Sequence, residues 1–209
     1  YTFLNGEKKY TGTMGDIGTT SFYPAKNLGC YGDGGAIFTN NDGLAEKIRM
    51  IVNHGESKKY HHKLIGCNSR LDSIQAVILN IKLKYLDDYN STRRIMADNY
   101  NKAFQNISNL QTPIEIDNST HVYHQYTLKV LNGKRNELKE YLQKNEIPTM
   151  IYYPIPLYKQ EAFSSYVDSN YYLKNTEELS KNVLSLPIHT EIENSSQDFI
   201  IEKVLNFFK

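Results

Sequence analysis

Hydrophobic positions along this chain follow two rhythms. From Leu71 to about Phe104 they recur every three or four residues, with Leu71, Ile74, Ile78, Ile81, Tyr85 and Tyr89 on one stripe. Val77, Leu79, Leu83 and Leu86 widen that stripe. The pattern predicts one long helix, apolar on more than one side and packed on a core or a second subunit. A shorter helix is predicted after Asn41-Asp42-Gly43, with Leu44, Ile48 and Ile51 at helical spacing and His54-Gly55 as its stop.

The second rhythm is that of strands. Residues 1–40 read as short strands broken by glycine, with a β-rich run from Ile17 to Tyr23. Ala36-Ile37-Phe38-Thr39 is a compact apolar run of the kind a buried strand carries. Between them, Gly29 to Gly35 holds four glycines in seven residues, a loop that must turn sharply or approach something closely. The composition turns polar around 108–120, where a boundary is expected. Beyond it, Tyr126–Leu131 alternates as a strand, Lys134–Lys144 suits a helix and Ile147–Tyr153 suits another strand, a βαβ-like order. Ser195-Ser196-Gln197-Asp198 resembles a capping box before Phe199, Ile200, Val204 and Phe207. The whole reads as α/β followed by a smaller α+β lobe.

Composition narrows the function. The 209 residues are 40% hydrophobic and 22% charged, enough to bury a core. A formal net charge of +1 argues against binding nucleic acid through bulk charge. No apolar run is long enough for a membrane helix. Cys30 and Cys67 lie far apart, so neither a disulfide framework nor a cysteine zinc site is expected, and a reduced cytoplasmic setting fits. His54, His61 and His62 have no carboxylate or cysteine at ligand spacing, so no metal site is expected.

Candidate chemistry centres on Ser21-Phe22-Tyr23-Pro24-Ala25-Lys26-Asn27-Leu28-Gly29. Here a lysine stands between a β-rich run and a glycine-rich loop. An amine nucleophile must be held near a carbonyl and partly desolvated. Ser21 and nearby backbone N–H groups could bind a phosphate, and Pro24 stiffens the turn. The plain readings stand beside this. Lys26 and Arg70 can be solvated surface groups, the glycines an ordinary loop, and Asn68 a helix cap before Leu71.

The Lys26 segment, followed by Gly32-Asp33-Gly34-Gly35-Ala36-Ile37-Phe38-Thr39-Asn40, resembles the cofactor-lysine region of nucleotide-sugar aminotransferases of the DegT/DnrJ type. Val52-Asn53-His54-Gly55, then Gly66 to Ala76, His121 to Tyr126 and Tyr153 to Leu157 resemble the same family in the same order. The resemblance implies the C-terminal part of a fold-type-I large domain over 1–108 and a small α+β domain over 109–209. It implies pyridoxal 5'-phosphate held by Lys26, its phosphate bonded by Ser21, and Asn68 reaching the phosphate in a neighbouring subunit. That makes a homodimer with shared sites. Arg70 would pair with a sugar carboxylate, and Tyr152 and Tyr153 would contact substrate. The reaction implied is transamination of a nucleotide-linked keto-sugar with a donor such as glutamate. A 3-keto, UDP-linked acetamido-hexuronate fits best, in glycan precursor synthesis.

Two departures qualify this. The family carries an upstream D-A-x-Q motif, whose aspartate pairs with the pyridine nitrogen; it would precede Tyr1. The chain therefore reads as part of a longer polypeptide, inactive alone. The alternative is a non-catalytic remnant that dimerises or binds sugar nucleotide. Family members also often carry histidine where Tyr152 and Tyr158 stand. Dehydratase relatives replace the cofactor lysine, so Lys26 favours transamination.

Overall fold

The computed structural model describes residues 1–168 and 170–209. By packing they divide into two units, Tyr1–Tyr89 with Glu115–His121, and Asn90–Ile114 with Val122–Lys209. The polar stretch 108–120, where composition turns, is itself shared between them.

The first unit opens on a hairpin, β1 (Thr2–Leu4) against β2 (Glu7–Lys9). Asn5 and Gly6 turn it with φ of 52° and 81°, the left-handed pair that a two-residue hairpin turn needs. Phe3 N donates to Asn118 O at 3.0 Å, which ties 115–121 to this unit. β3 (Gly18–Ser21) pairs antiparallel with β4 (Gly35–Phe38), Gly18 facing Phe38 and Ser21 facing Gly35. The segment 22–34 joins them and carries Lys26. The expected buried strand is present, but Ile37 and Phe38 are exposed. The sheet has only two strands, and these consecutive residues, which point to opposite faces, are each left partly open.

Helix α1 (Asp42–Val52) starts where expected, with Asn41 Oδ1 accepting from Leu44 N at 3.0 Å. A second hairpin follows, β5 (Glu56–Lys58) and β6 (His61–His62). The single long helix expected over 71–104 is broken. Helix α2 (Ser73–Lys82) passes through a 3-10 turn, Leu83–Tyr85, into α3 (Leu86–Phe104). No glycine or proline marks the break, so periodicity runs straight through it. Of the apolar stripe, Leu79 is buried while Ile74, Val77, Ile81, Leu83 and Tyr85 are exposed. Most of that stripe is therefore not core in this chain.

The second unit is built on an antiparallel sheet in the order β7 (Leu110–Gln111), β8 (Tyr126–Val130), β9 (Val183–Leu186). Tyr126, Leu128 and Val130 alternate inward from β8. They pack with Tyr100 and Phe104 of α3, Leu138 and Leu142 of α4 (Arg135–Lys144), and Ile200 and Val204 of α6 (Asn194–Phe207). Helix α5 (Lys174–Asn182) leads directly into β9.

Two expectations fail here. The βαβ-like order is absent, because Ile147–Tyr153 forms no strand and meets β9 only through a Met150–Ser185 bridge. Pro148, inside that segment, and Pro154, just after it, supply no N–H to a ladder. The capping box is also absent. Glu193 occupies the cap position with no side-chain cap bond, and Ser195 to Asp198 already lie inside α6. Gln197 serves instead as a staple, its Nε2 donating to Met96 O at 2.8 Å and its Oε1 accepting from Asn99 Nδ2 at 3.1 Å.

Candidate active site

The Lys26 turn owes its shape to backbone geometry. Phe22 N donates to Gly34 O, Lys26 N to Tyr23 O and Cys30 N to Phe22 O, each at 2.8 Å. Between these bonds the chain doubles back so tightly that a Cβ on Gly29 would stand 2.4 Å from Pro24 O. Glycine there is a requirement of close approach. Lys26 is half-buried on this turn. Ser21, at the end of β3, is exposed, and its Oγ accepts from Tyr23 N at 3.2 Å. Accepting that bond leaves the hydroxyl hydrogen available to donate to an anion. Ser21 and Lys26 thus share one short segment, a setting that fits a phosphorylated aldehyde: a hydroxyl for the phosphate and an amine for the carbonyl.

Helix α2 clamps the glycine-rich loop. Gln75 Oε1 accepts from Tyr31 N at 2.8 Å, and Lys82 Nζ donates to Gly29 O at 2.8 Å while lying 4.8 Å from the Tyr31 ring centroid. Nothing local in the sequence marks either residue for this contact beyond their seven-residue spacing on one helix face.

Asn68 and Arg70 follow the second hairpin. Asp72 Oδ1, not Asn68, caps α2 by accepting from Ile74 N at 2.9 Å. Asn68 Oδ1 instead accepts from Arg70 Nε at 3.0 Å. Both residues are exposed and line a groove of about 670 Å³ with Asp33, Gly35, Ile37 and Ile48. Ser21 and Lys26 are not among its lining residues.

Tyr152 and Tyr153 belong to the second unit. Their rings meet edge to face at 5.5 Å, and they border a largely apolar cavity of about 430 Å³ with Ile155, Leu157, Leu179 and Val183. Next to it, Tyr158 Oη donates to Glu177 Oε1 at 2.5 Å, and Lys159 forms an ion pair with the same carboxylate. The Lys159 ammonium, then the Tyr158 hydroxyl, hold the Glu177 carboxyl below its ordinary range. Burial, followed by the Glu177 hydrogen bond, pushes the Tyr158 hydroxyl up. No helix among the described residues is long and apolar enough to cross a membrane.

Comparison with known proteins agrees with the fold and the motifs. The chain is 42% identical over 203 residues to a pleiotropic regulatory protein of Geobacillus stearothermophilus, covering 96% of this chain and 54% of that one. It is 39% identical over 193 residues to the UDP-2-acetamido-2-deoxy-3-oxo-D-glucuronate aminotransferase of Pseudomonas aeruginosa, covering 92% and 52%. Streptomyces venezuelae DesV, solved in complex with a ketimine intermediate, superposes with a TM-score of 0.87 at 35% identity, covering 93% of this chain and 52% of that one. The chain spans about half the length of the curated relatives it matches. The expected fold class, part of a fold-type-I large domain followed by a small α+β domain, holds in these superpositions. Residues 2–205 match the family model, and the chain belongs to the DegT/DnrJ/EryC1/StrS aminotransferase family.

Proposed function

We propose that the protein takes part in transamination of a nucleotide-linked 3-keto sugar, with glutamate as donor, and that Lys26 holds the cofactor. The observation that carries this is the Lys26 turn: a half-buried lysine fixed by three backbone bonds, with a hydroxyl five residues before it. Pyridoxal phosphate, when bound, would supply an aldehyde to take up the donor nitrogen and an electron sink for the deprotonated carbon. In this reading Ser21 donates its hydroxyl hydrogen to the phosphate. The Lys26 amine would hold the cofactor and, once released, would serve as base and then acid for the proton of the donor carbon. Asn68 reaches the phosphate of a neighbouring subunit. Arg70 meets the carboxylate of a hexuronate, for which a guanidinium fork is suited in charge and shape. Tyr152 and Tyr153 contact the sugar.

The exposed stripe on α2 supports a homodimer, since an apolar helix face of this kind calls for a protein partner. We take 1–108 as part of the large domain and 109–209 as the small one. In this reading the activity is that of the full-length protein. Synthesis of a glycan precursor in the cytoplasm completes the proposal.

The test is Lys26→Ala in the full-length protein, assayed with UDP-linked 3-keto sugars and glutamate. Loss of both turnover and the colour of bound cofactor is expected. Full transaminase activity in that variant contradicts the assignment.

A further inference from the structure

Arg70 and Asn68 are not held by solvent alone. Both carboxylate oxygens of Glu56 are occupied by donors. Tyr60 N reaches Oε1 at 3.1 Å and Asn53 Nδ2 reaches Oε2 at 3.0 Å. A carboxylate only accepts, so the Asn53 amide must turn its NH₂ toward Glu56 and its Oδ1 away. That Oδ1 accepts from Arg70 Nη1 at 3.4 Å. A guanidinium only donates. Its Nε takes the Asn68 oxygen at 3.0 Å, which leaves the Asn68 NH₂ as the outward group.

The series therefore runs from an acceptor-only carboxylate through an amide to a donor-only guanidinium, and then to a second amide. Neither amide can flip without setting donor against donor or acceptor against acceptor. The backbone holds the pieces in register. Asn53 and Asn68 form an antiparallel bridge, Cys67 N donates to Ile51 O at 2.8 Å, and Ser69 N donates to Val52 O at 2.9 Å. What remains presented is the Asn68 NH₂ and the outer edge of Arg70, both donors suited to a phosphate or carboxylate oxygen.

We infer that Glu56 and Asn53 are positioning residues that pre-orient Arg70 as the clamp for a sugar carboxylate, with Asn68 held beside it for the phosphate of a neighbouring subunit, and so set preference for a carboxylate-bearing sugar. The inference rests on the proposed role of Arg70. Its value is pre-organisation: a flexible arginine must give up rotamer freedom on binding, whereas one already held loses less.

The experiment measures binding of UDP-glucuronate and UDP-glucose to the full-length protein carrying pyridoxal phosphate, by calorimetry. In Glu56→Gln the amide offers one acceptor to two donors, which breaks the series without emptying the site. Glu56→Gln and Asn53→Ala are expected to weaken UDP-glucuronate about tenfold, the loss of one charge-assisted hydrogen bond, while UDP-glucose binding stays unchanged. Arg70→Ala should erase the preference altogether. If Arg70→Ala erases it and both other variants keep it, the inference is wrong while the role of Arg70 stands. Equal weakening of both ligands marks a purely structural role and also overturns it. If the wild type shows no preference, or Arg70→Ala retains it, the role of Arg70 and the inference fall together.

Discussion

Replacing Gly29 with alanine should displace Lys26 without touching its side chain. The added methyl would stand 2.4 Å from Pro24 O, 2.8 Å from Pro24 C and 2.9 Å from Tyr23 O, whereas ordinary contact begins near 3.4 Å. All three neighbours are backbone atoms, so no side-chain rotation relieves the crowding and the turn must open by about 1 Å. Overpacking of this kind costs about 1–3 kcal/mol. Opening the turn also strains the bonds Lys26 N to Tyr23 O and Cys30 N to Phe22 O, each worth about 1 kcal/mol. A misplacement of about 1 Å at a reacting group can cost about 100-fold in rate. The expected result in the full-length protein is a loss of that order in turnover, weakened cofactor absorbance and a lower melting temperature. Gly15→Ala is the control, since its Cβ would meet nothing closer than 3.9 Å. Wild-type turnover and cofactor binding in Gly29→Ala would refute the view that this turn positions the amine.

Two further outcomes concern the second unit. Arg93 is 93% buried and its Nη1 donates to Tyr123 O, His124 O and Ile188 O, so Arg93→Met should lower stability by about 3–5 kcal/mol, read as a drop in urea midpoint at unchanged slope. A midpoint within error of wild type would contradict it. Because the Glu177 carboxyl is held below its ordinary 4.5, its stabilisation is present above that value and fades as pH falls through the lower, folded value. The melting-temperature gap between wild type and Glu177→Gln should therefore narrow on acidification, and a gap that persists through the acid range would contradict the ion pair's role.

Much of the fold was legible because it is local. Asn41 and the Leu44, Ile48, Ile51 spacing located α1, and the alternation of Tyr126, Leu128 and Val130 located β8. Ile147–Tyr153 misled because its apolar content satisfies a strand pattern while Pro148 removes a donor near its start, Pro154 follows its end, and only Met150 pairs with β9. The break at Leu83–Tyr85 has no sequence marker, and the exposure of Ile37 and Ile74 depends on which surfaces this chain covers, which no local pattern encodes. In the candidate site, Lys26, Ser21 and the glycines were visible as one segment. The clamp of Gln75 and Lys82 on Tyr31 and Gly29, and the contact of Arg70 with Asn53 seventeen residues away, were not, because only the fold brings these groups together.

The most direct test of the central claim is to reduce the full-length protein with borohydride in the presence of pyridoxal phosphate and map the labelled peptide by mass spectrometry. A single pyridoxyl group on the peptide containing Lys26 is the predicted result. Label on a different lysine, or no label while transamination proceeds, would contradict it.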